Sequence, residues 1–273
     1  MSYYAVLGLN QEPFSTSPDP DFFFDSQEHH SALMRLLVEI RLRRGLSLVL
    51  GDVGVGKTTL SRKLFQMLKQ REDILFFMIM DPTSVSEELF LESLIRAFNI
   101  PESASNMTIL DYKEAIKKYL YQKGVEENKT IVLVVDEAQK LNPLSLEVLR
   151  VLLNYETNEF KLLQLVLFGQ LELLPRIKEM KNFLDRIVMK YLLNPLDEQE
   201  AREMIDFRLR QAGFHSNFKL FSDEAVSIIH KHSQGYPRRI NLLCHNALRE
   251  LIAQNKPVVD PDLVHNIIAR NEL

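Results

Sequence analysis

Apolar residues follow three patterns along the chain. Over residues 28–43, Ala32, Leu33, Leu36, Leu37 and Ile40 recur at the spacing of one helix face, and the pattern stops near Gly45. Short unbroken apolar runs come next. Leu46–Leu50, Ile74–Met80 and the β-branched Thr130–Val135 have the length and composition of strands buried on both faces. Helical spacing returns around them, over 57–70, 86–98, 109–123 and 143–155, with Pro143 suited to a first helical turn. Two further strand-like runs, 161–168 and 189–193, enclose helical stretches at 171–180 and 183–187. Beyond Pro195 the strand pattern is gone, and 197–212, 222–232, 237–253 and 260–270 all read as helices.

Strands alternating with helices predict an α/β fold, a parallel sheet of five strands covered by helices, followed by an all-helical domain. Residues 1–27 read as an irregular arm, punctuated by Pro13-Phe14 and Pro18-Asp19-Pro20, whose phenylalanines need an apolar surface to cover. The expected division is an arm over 1–27, a core over 28–195 and a helical domain over 196–273, with the Asn194-Pro195 step as the hinge.

Composition narrows the classes. Of 273 residues, 46% are hydrophobic and 26% charged, an ordinary globular balance that argues against a largely disordered chain. A net charge of -4 gives no overall electrostatic footprint for nucleic acid, though a local basic stripe stays open. The tightest basic cluster, Arg41, Arg43 and Arg44, is explained as a solvated helix end, where cations favour the dipole. The single cysteine, Cys244, lies in an apolar helical stretch and reads as a buried thiol. His230 and His232, two residues apart, do not share a helix face and make a poor zinc pair. No apolar run approaches the ~18 to 20 residues of a membrane span, and no signal segment opens the chain. The expectation is a cytoplasmic protein without membrane insertion.

Candidate chemistry centres on Gly51-Asp52-Val53-Gly54-Val55-Gly56-Lys57-Thr58, a G-x-x-x-x-G-K-[ST] string between a predicted strand and a predicted helix. Its glycines let the backbone curl so that N–H groups converge on a phosphate, reinforced by the positive end of the helix. Lys57 would reach the β and γ oxygens of ATP, Thr58 would ligate Mg2+, and Thr59 completes the nucleotide-binding set. The run 131–135 ends in Asp136-Glu137, the pattern of a Walker B strand. Asp136 would hold the Mg2+ shell and Glu137 would act as general base toward the attacking water.

Two further residues have two readings each, and a pair of arginines adds a third candidate site. Gln170 follows the strand at 161–168, where it is either a sensor of the γ-phosphate or an exposed loop glutamine. Arg186, beside Asp185, is either an arginine finger offered to a neighbouring subunit or one half of a surface ion pair. Arg238 or Arg239 opens the helix at 237. A double arginine there opposes the helix dipole and so wants an anion, the γ-phosphate in cis.

With these strings in view, the chain resembles the general secretion pathway protein A (ExeA/GspA) family of AAA+ ATPases. The resemblance rests on Tyr3-Tyr4 through Gly8-Leu9 to Pro13-Phe14, Pro18-Asp19-Pro20 with Phe23, the P-loop, Asp136-Glu137-Ala138-Gln139, the run 163–170, and 235–243. It implies an ASCE-type core with a helical lid, ATP and Mg2+ as ligands, and work as a homo-oligomer, a ring or a filament. It matches Gln170 to sensor 1, Arg186 to the arginine-finger region and Arg238 to the sensor 2 arginine. It also sets the arm around Pro13-Phe14 and the helix near His29 beside the adenine. Secretion members resemble this chain in their ATPase part and continue into a membrane helix and a periplasmic region. The sequence therefore reads as a fragment, held at the inner membrane by its missing part or by a partner, or as a cytosolic relative. Similar modules of the TniB, TnsC and MuB kind serve transposition. Two functions stay open: an ATP-fuelled assembly factor for a secretion or pilus complex, and an ATP-dependent adaptor on duplex DNA.

Overall fold

The computed structural model describes residues 3–101, 107–216 and 218–270. The outermost residues of the expected arm and helical domain, 1–2 and 271–273, lie outside this set. In chain order the elements begin with α1 (Tyr3–Val6), α2 (Gln27–Arg41), β1 (Leu46–Gly51), α3 (Lys57–Leu68) and β2 (Ile74–Ile79). Then come α4 (Glu87–Ala97), α5 (Ile109–Tyr121), β3 (Thr130–Val135), α6 (Pro143–Leu152) and β4 (Leu163–Gly169). The chain continues through α7 (Leu173–Glu179), α8 (Lys181–Leu184), β5 (Ile187–Leu193), α9 (Glu198–Gln211), α10 (Asp223–Ser233), α11 (Pro237–Ala253) and α12 (Pro261–Ala269). Most expected elements recur within a few residues. The helix expected at 183–187 is instead the single turn α8, and β5 starts two residues early because Ile187 already pairs with Leu46.

By backbone contacts the chain forms two compact units. One takes His29–Asp52 and Leu60–Leu193; the other takes the chain up to Glu28, Val53–Thr59 and the chain from Asn194 onward.

The first unit holds a five-stranded sheet of order β2-β3-β4-β1-β5 with every pairing parallel. The expected α/β class is the observed one. Every residue of β1, β3 and β4 is buried, which is why these strands read as unbroken apolar runs. Alternate residues, Leu48 and Leu50 of β1, Leu133 and Val135 of β3, Leu165 and Leu167 of β4, join one core with side chains from α4 to α8. Placing β4 between β1 and β3 sets the carboxyl ends of these three strands side by side. Leu50 pairs with Gly169, and Val135 with Leu167.

The second unit packs α9 to α12 and the arm around Phe14, Leu196, Ile205, Val226, Ile240 and Leu248. The arm is not wholly irregular, since it includes α1 and a 3-10 turn at Pro20–Phe22. Its phenylalanines find their apolar surface here, Phe14 being 1% exposed. The arm's backbone is fastened by Arg208 of α9, whose guanidinium donates to the carbonyls of Pro13 at 2.7 Å, Ser15 at 3.1 Å and Phe22 at 3.3 Å. It also lies over the Phe22 ring, 5.0 Å from the centroid. Burial lowers the Arg208 pKa to about 10, although the Asp19 and Glu12 carboxylates act in the opposite direction and favour the charged form. Cys244 is fully buried, and desolvation pushes its thiol well above the usual range, as suits a core residue. Among the described residues, no helix is long and apolar enough to cross a membrane.

Candidate functional site

β1 runs directly into the phosphate-loop string, its last residue Gly51 pairing with Leu193. Asp52 and Val53 are exposed, and the backbone then turns through the left-handed region at Gly54 (φ 88°) and Gly56 (φ 102°). A side chain at either position would be strained, so the glycines permit the successive inward N–H groups of an anion nest. Val55 between them is fully buried and pins the loop. Lys57 opens α3 at 7% exposure, followed by half-buried Thr58 and Thr59. The first turn of α3 thus presents a lysine, two hydroxyls and the N–H groups that a helix start leaves without intrahelical partners.

Within the same compact unit, α11 comes up against this loop. The Arg238 N–H donates to the Gly54 carbonyl at 3.2 Å, and a Cβ added at Gly54 would lie 3.1 Å from the Cβ of Arg238. The turn before α11 is fixed by Gly235 (φ 76°), where a Cβ would fall 2.0 Å from the Leu196 carbonyl oxygen. Leu196 in turn donates its N–H to the Gly235 carbonyl at 2.9 Å, and His230 Nε2 lies 3.0 Å from the Leu196 carbonyl oxygen. That contact gives His230 a structural partner. The two arginines differ. Arg238 abuts the loop, whereas Arg239 donates to Gln234 Oε1 at 3.0 Å and stacks over Tyr236 at 4.7 Å.

In the sheet unit, Asp136 follows β3 and extends its ladder, donating its N–H to the Ile79 carbonyl at 2.8 Å. Its carboxylate is 1% exposed and accepts the Glu137 N–H at 2.9 Å. Glu137 adopts a left-handed conformation (φ 51°, ψ 37°), uncommon for a residue with a long side chain. Gln170 follows β4, half-buried, on the strand between β1 and β3. Asp136, Glu137 and Gln170 therefore stand along one carboxyl edge of the sheet, the same edge from which Gly51 leaves β1. In parallel α/β sheets this edge is where ligands bind.

Sequence reasoning assigned no role to Gln139. Its side chain donates to the Glu137 carboxylate and accepts the Gln170 N–H at 3.1 Å. Arg176 of α7 holds the Gln139 carbonyl at 2.8 Å. Gly169 lies beside the turn at Gln139, where a Cβ would make ordinary contact with the Gln139 nitrogen at 3.6 Å and would crowd Leu173 Cδ2 at 2.9 Å.

Arg186 is at the opposite edge, directly before β5, whose first residue pairs with the start of β1. Six strand residues at ~3.3 Å each separate it from the carboxyl edge by about 20 Å. Its guanidinium donates to the Asn182 carbonyl at 2.5 Å and to Asn154 Oδ1. Arg43, expected as a solvated cation at a helix end, is instead built into this edge. Its guanidinium donates to Thr130 Oγ1 at 3.0 Å, the Asn128 carbonyl at 3.1 Å and the Gly124 carbonyl at 3.4 Å, and lies 4.4 Å from the Phe160 centroid. The physical reason is the left-handed turn at Arg43 itself (φ 50°), which ends α2 and redirects the chain into β1.

The two groups of residues fit a nucleotide and its metal separately. The loop offers converging N–H groups and a buried lysine for phosphates, and the β3 end offers a buried carboxylate beside a second acid. Among the described residues, no group of three or more His, Cys, Asp or Glu could hold a metal ion. Mg2+ at phosphate sites instead takes one or two carboxylates plus phosphate oxygens, which Asp136 and a bound nucleotide could supply.

The family described as AAA domain matches residues 40–177. General secretion pathway protein A of Aeromonas hydrophila is 37% identical over 249 residues, covering 90% of this chain and 44% of that protein. The chain thus spans less than half the length of this relative. Among solved structures, the Aeropyrum pernix ORC2 protein matches with a TM-score of 0.69 at 17% identity, over 95% of this chain and 71% of its own. Cdc6p from Pyrobaculum aerophilum matches at 0.70 and 17%, over 93% and 69%. At such identity these two likenesses concern the fold alone.

Proposed function

The chain belongs to the AAA domain family, and from that premise we propose that it is a magnesium-dependent ATPase whose turnover drives conformational change in a homo-oligomer, assembling or remodelling a secretion-type complex. One observation carries the enzymatic reading. β1 ends at Gly51 on the sheet edge where β3 presents a buried Asp136 and, next to it, Glu137, and the chain continues from Gly51 into a P-loop with left-handed Gly54 and Gly56 and a buried Lys57.

Residues 51–59 bind the phosphates through backbone N–H groups, and Lys57 neutralises the β and γ oxygens. Thr58 and Asp136 would hold Mg2+, which would supply charge neutralisation to the phosphates. Glu137 orients the attacking water and takes its proton. Gln170 contacts the γ-phosphate or that water from the end of β4. Arg238, at the loop through its own backbone N–H, serves as the cis sensor rather than Arg239, whose guanidinium is engaged by Gln234 and Tyr236. Arg186, on the far edge of its own sheet, acts in trans on a neighbour's nucleotide. The relative's name, General secretion pathway protein A, supports the secretion assignment. We place the protein in the cytoplasm, with the arm, the core and the helical lid divided at residues 27 and 195.

Phosphate release with and without duplex DNA, paired with particle imaging, tests this reading. The expected result is Mg2+-dependent turnover that DNA leaves unchanged, in a closed ring, with tight nucleotide binding abolished in Lys57→Ala. Turnover stimulated by DNA, on filaments, would sink the secretion assignment in favour of a DNA adaptor. Doping Arg186→Ala protomers with Lys57→Ala protomers restores turnover if Arg186 acts in trans; no restoration removes that assignment.

A further inference from the structure

We propose that Gln139 is the positioning residue for Glu137, holding its carboxylate in place and tying it to the end of β4. This rests on the reading of Glu137 as the base. Gln139 lies in the 3-10 turn Ala138–Lys140, immediately after Glu137 turns the chain through its left-handed conformation. Its side-chain amide is used at both ends, the nitrogen toward the Glu137 carboxylate and the oxygen toward the Gln170 N–H. An ionised carboxylate can only accept and a backbone N–H can only donate, so these two partners fix which way the amide points. Neither partner tolerates the flipped amide.

Three observations make this a built connection. The Gln139 backbone is itself held, its carbonyl accepting from Arg176 of α7 at 2.8 Å. The end of β4 packs against the turn, a Cβ built at Gly169 lying at ordinary contact distance, 3.6 Å, from both the Ala138 Cβ and the Gln139 nitrogen. β4 lies between β1 and β3, so the strand reached by Gln139 borders both the strand feeding the P-loop and the strand bearing the acids. A base contributes only when aligned to within a fraction of an ångström of the water it deprotonates. A glutamate on a left-handed backbone, with its own torsions free, needs a second fixed point. Gln139 supplies it, and any shift at Gln170 is passed to the base through one side chain.

Two near-isosteric variants separate this role from simple loop support. Gln139→Met removes both hydrogen bonds and keeps the shape. Gln139→Glu keeps an acceptor for the Gln170 N–H but removes the donor and sets a like charge against Glu137. If Gln139 works by positioning Glu137, kcat falls roughly tenfold in Gln139→Met and roughly a hundredfold in Gln139→Glu, within what a positioned base contributes. KM and nucleotide affinity stay within about twofold of the wild type, since ground-state binding is untouched. Gln139→Glu turning over faster than Gln139→Met would show that the bond to Gln170 matters and the one to Glu137 does not, overturning the proposal. An unchanged or raised kcat in both, or a loss confined to KM, overturns it too. Glu137→Gln is measured alongside. If it hydrolyses ATP at the wild-type rate, the base assignment falls and this inference with it; if it is inert while both Gln139 variants are fully active, the inference alone falls.

Discussion

Two residues with nearly identical positive φ stand at opposite edges of the parallel sheet. Arg43 (φ 50°) leads into β1 at the amino edge, and Glu137 (φ 51°) leaves β3 at the carboxyl edge. Both occupy a region that costs a long side chain roughly 1–2 kcal/mol. At Arg43 the side chain offsets that cost. It bonds to Thr130 at the start of β3 and to the carbonyls of Asn128 and Gly124, and it covers Phe160. Burial lowers its pKa, and the guanidinium stays fixed in this cage. The same edge satisfies Gln164, buried in β4, by bonds to the Gly45 N–H at 2.8 Å and the Lys161 carbonyl at 2.7 Å. At Glu137 the carboxylate is half-buried and held by the amide of Gln139. Strain at the amino edge is part of closing the fold, whereas strain at the carboxyl edge is balanced by little that the side chain does for stability. Backbone strain retained without such local compensation is the pattern of a functional position.

The largest effect that would break this contrast is on turnover. Glu137→Gln keeps size and shape but cannot take a proton, so hydrolysis falls by roughly 10²–10⁴ while nucleotide binding and melting temperature hold. Single-turnover phosphate release beside a binding titration checks it. A Glu137→Gln protein that melts many degrees lower would mean that Glu137 is as structural as Arg43, and the contrast would collapse.

The next effect belongs to the amino edge. Arg43→Asn relieves the left-handed backbone, because asparagine tolerates it, but deletes the guanidinium's bonds and its cover over Phe160. The bonds outweigh the relief, and the net loss is about 2 kcal/mol in urea unfolding, with ATP turnover per folded molecule unchanged. Unchanged stability would show that the cage contributes nothing beyond its own strain.

How much of this was legible in the sequence differs between the two edges for the same physical reason. The strand runs 46–50 and 130–135, the turn at Gly54 and Gly56 and the helix from Lys57 are local patterns, and the structure has strand, loop and helix there. That Asp136 and Gln170 terminate strands could be read the same way. The bond from Gln139 to Gln170 joins residues 31 apart, and it exists because β4 enters beside β3. Alternating strands and helices predict a parallel sheet but not its order. Arg43 misled because a lysine or arginine after a helix is ordinarily a solvated cation near the dipole. Nothing local announces that its partners lie more than eighty residues ahead. Arg208 was silent for a related reason, since its three carbonyl partners belong to an arm nearly two hundred residues earlier.

The smallest effect isolates the backbone term at the carboxyl edge. Glu137→Asn relieves the left-handed conformation but also gives up the bond from Gln139, and the two changes oppose each other. Made on a Gln139→Met background, where the carboxylate has no amide to lose, the same substitution gains stability, about 1 kcal/mol. The difference between the two backgrounds is the coupling between Glu137 and Gln139, read directly as a double-mutant cycle from urea midpoints at constant m-value. Arg43→Asn and Glu137→Asn then relieve the same backbone strain at opposite edges, with a stability loss at one and a gain at the other. A loss at Glu137 on the Gln139→Met background would mean that this edge, too, is held by its own side chain, and that its strain is ordinary architecture rather than a mark of chemistry.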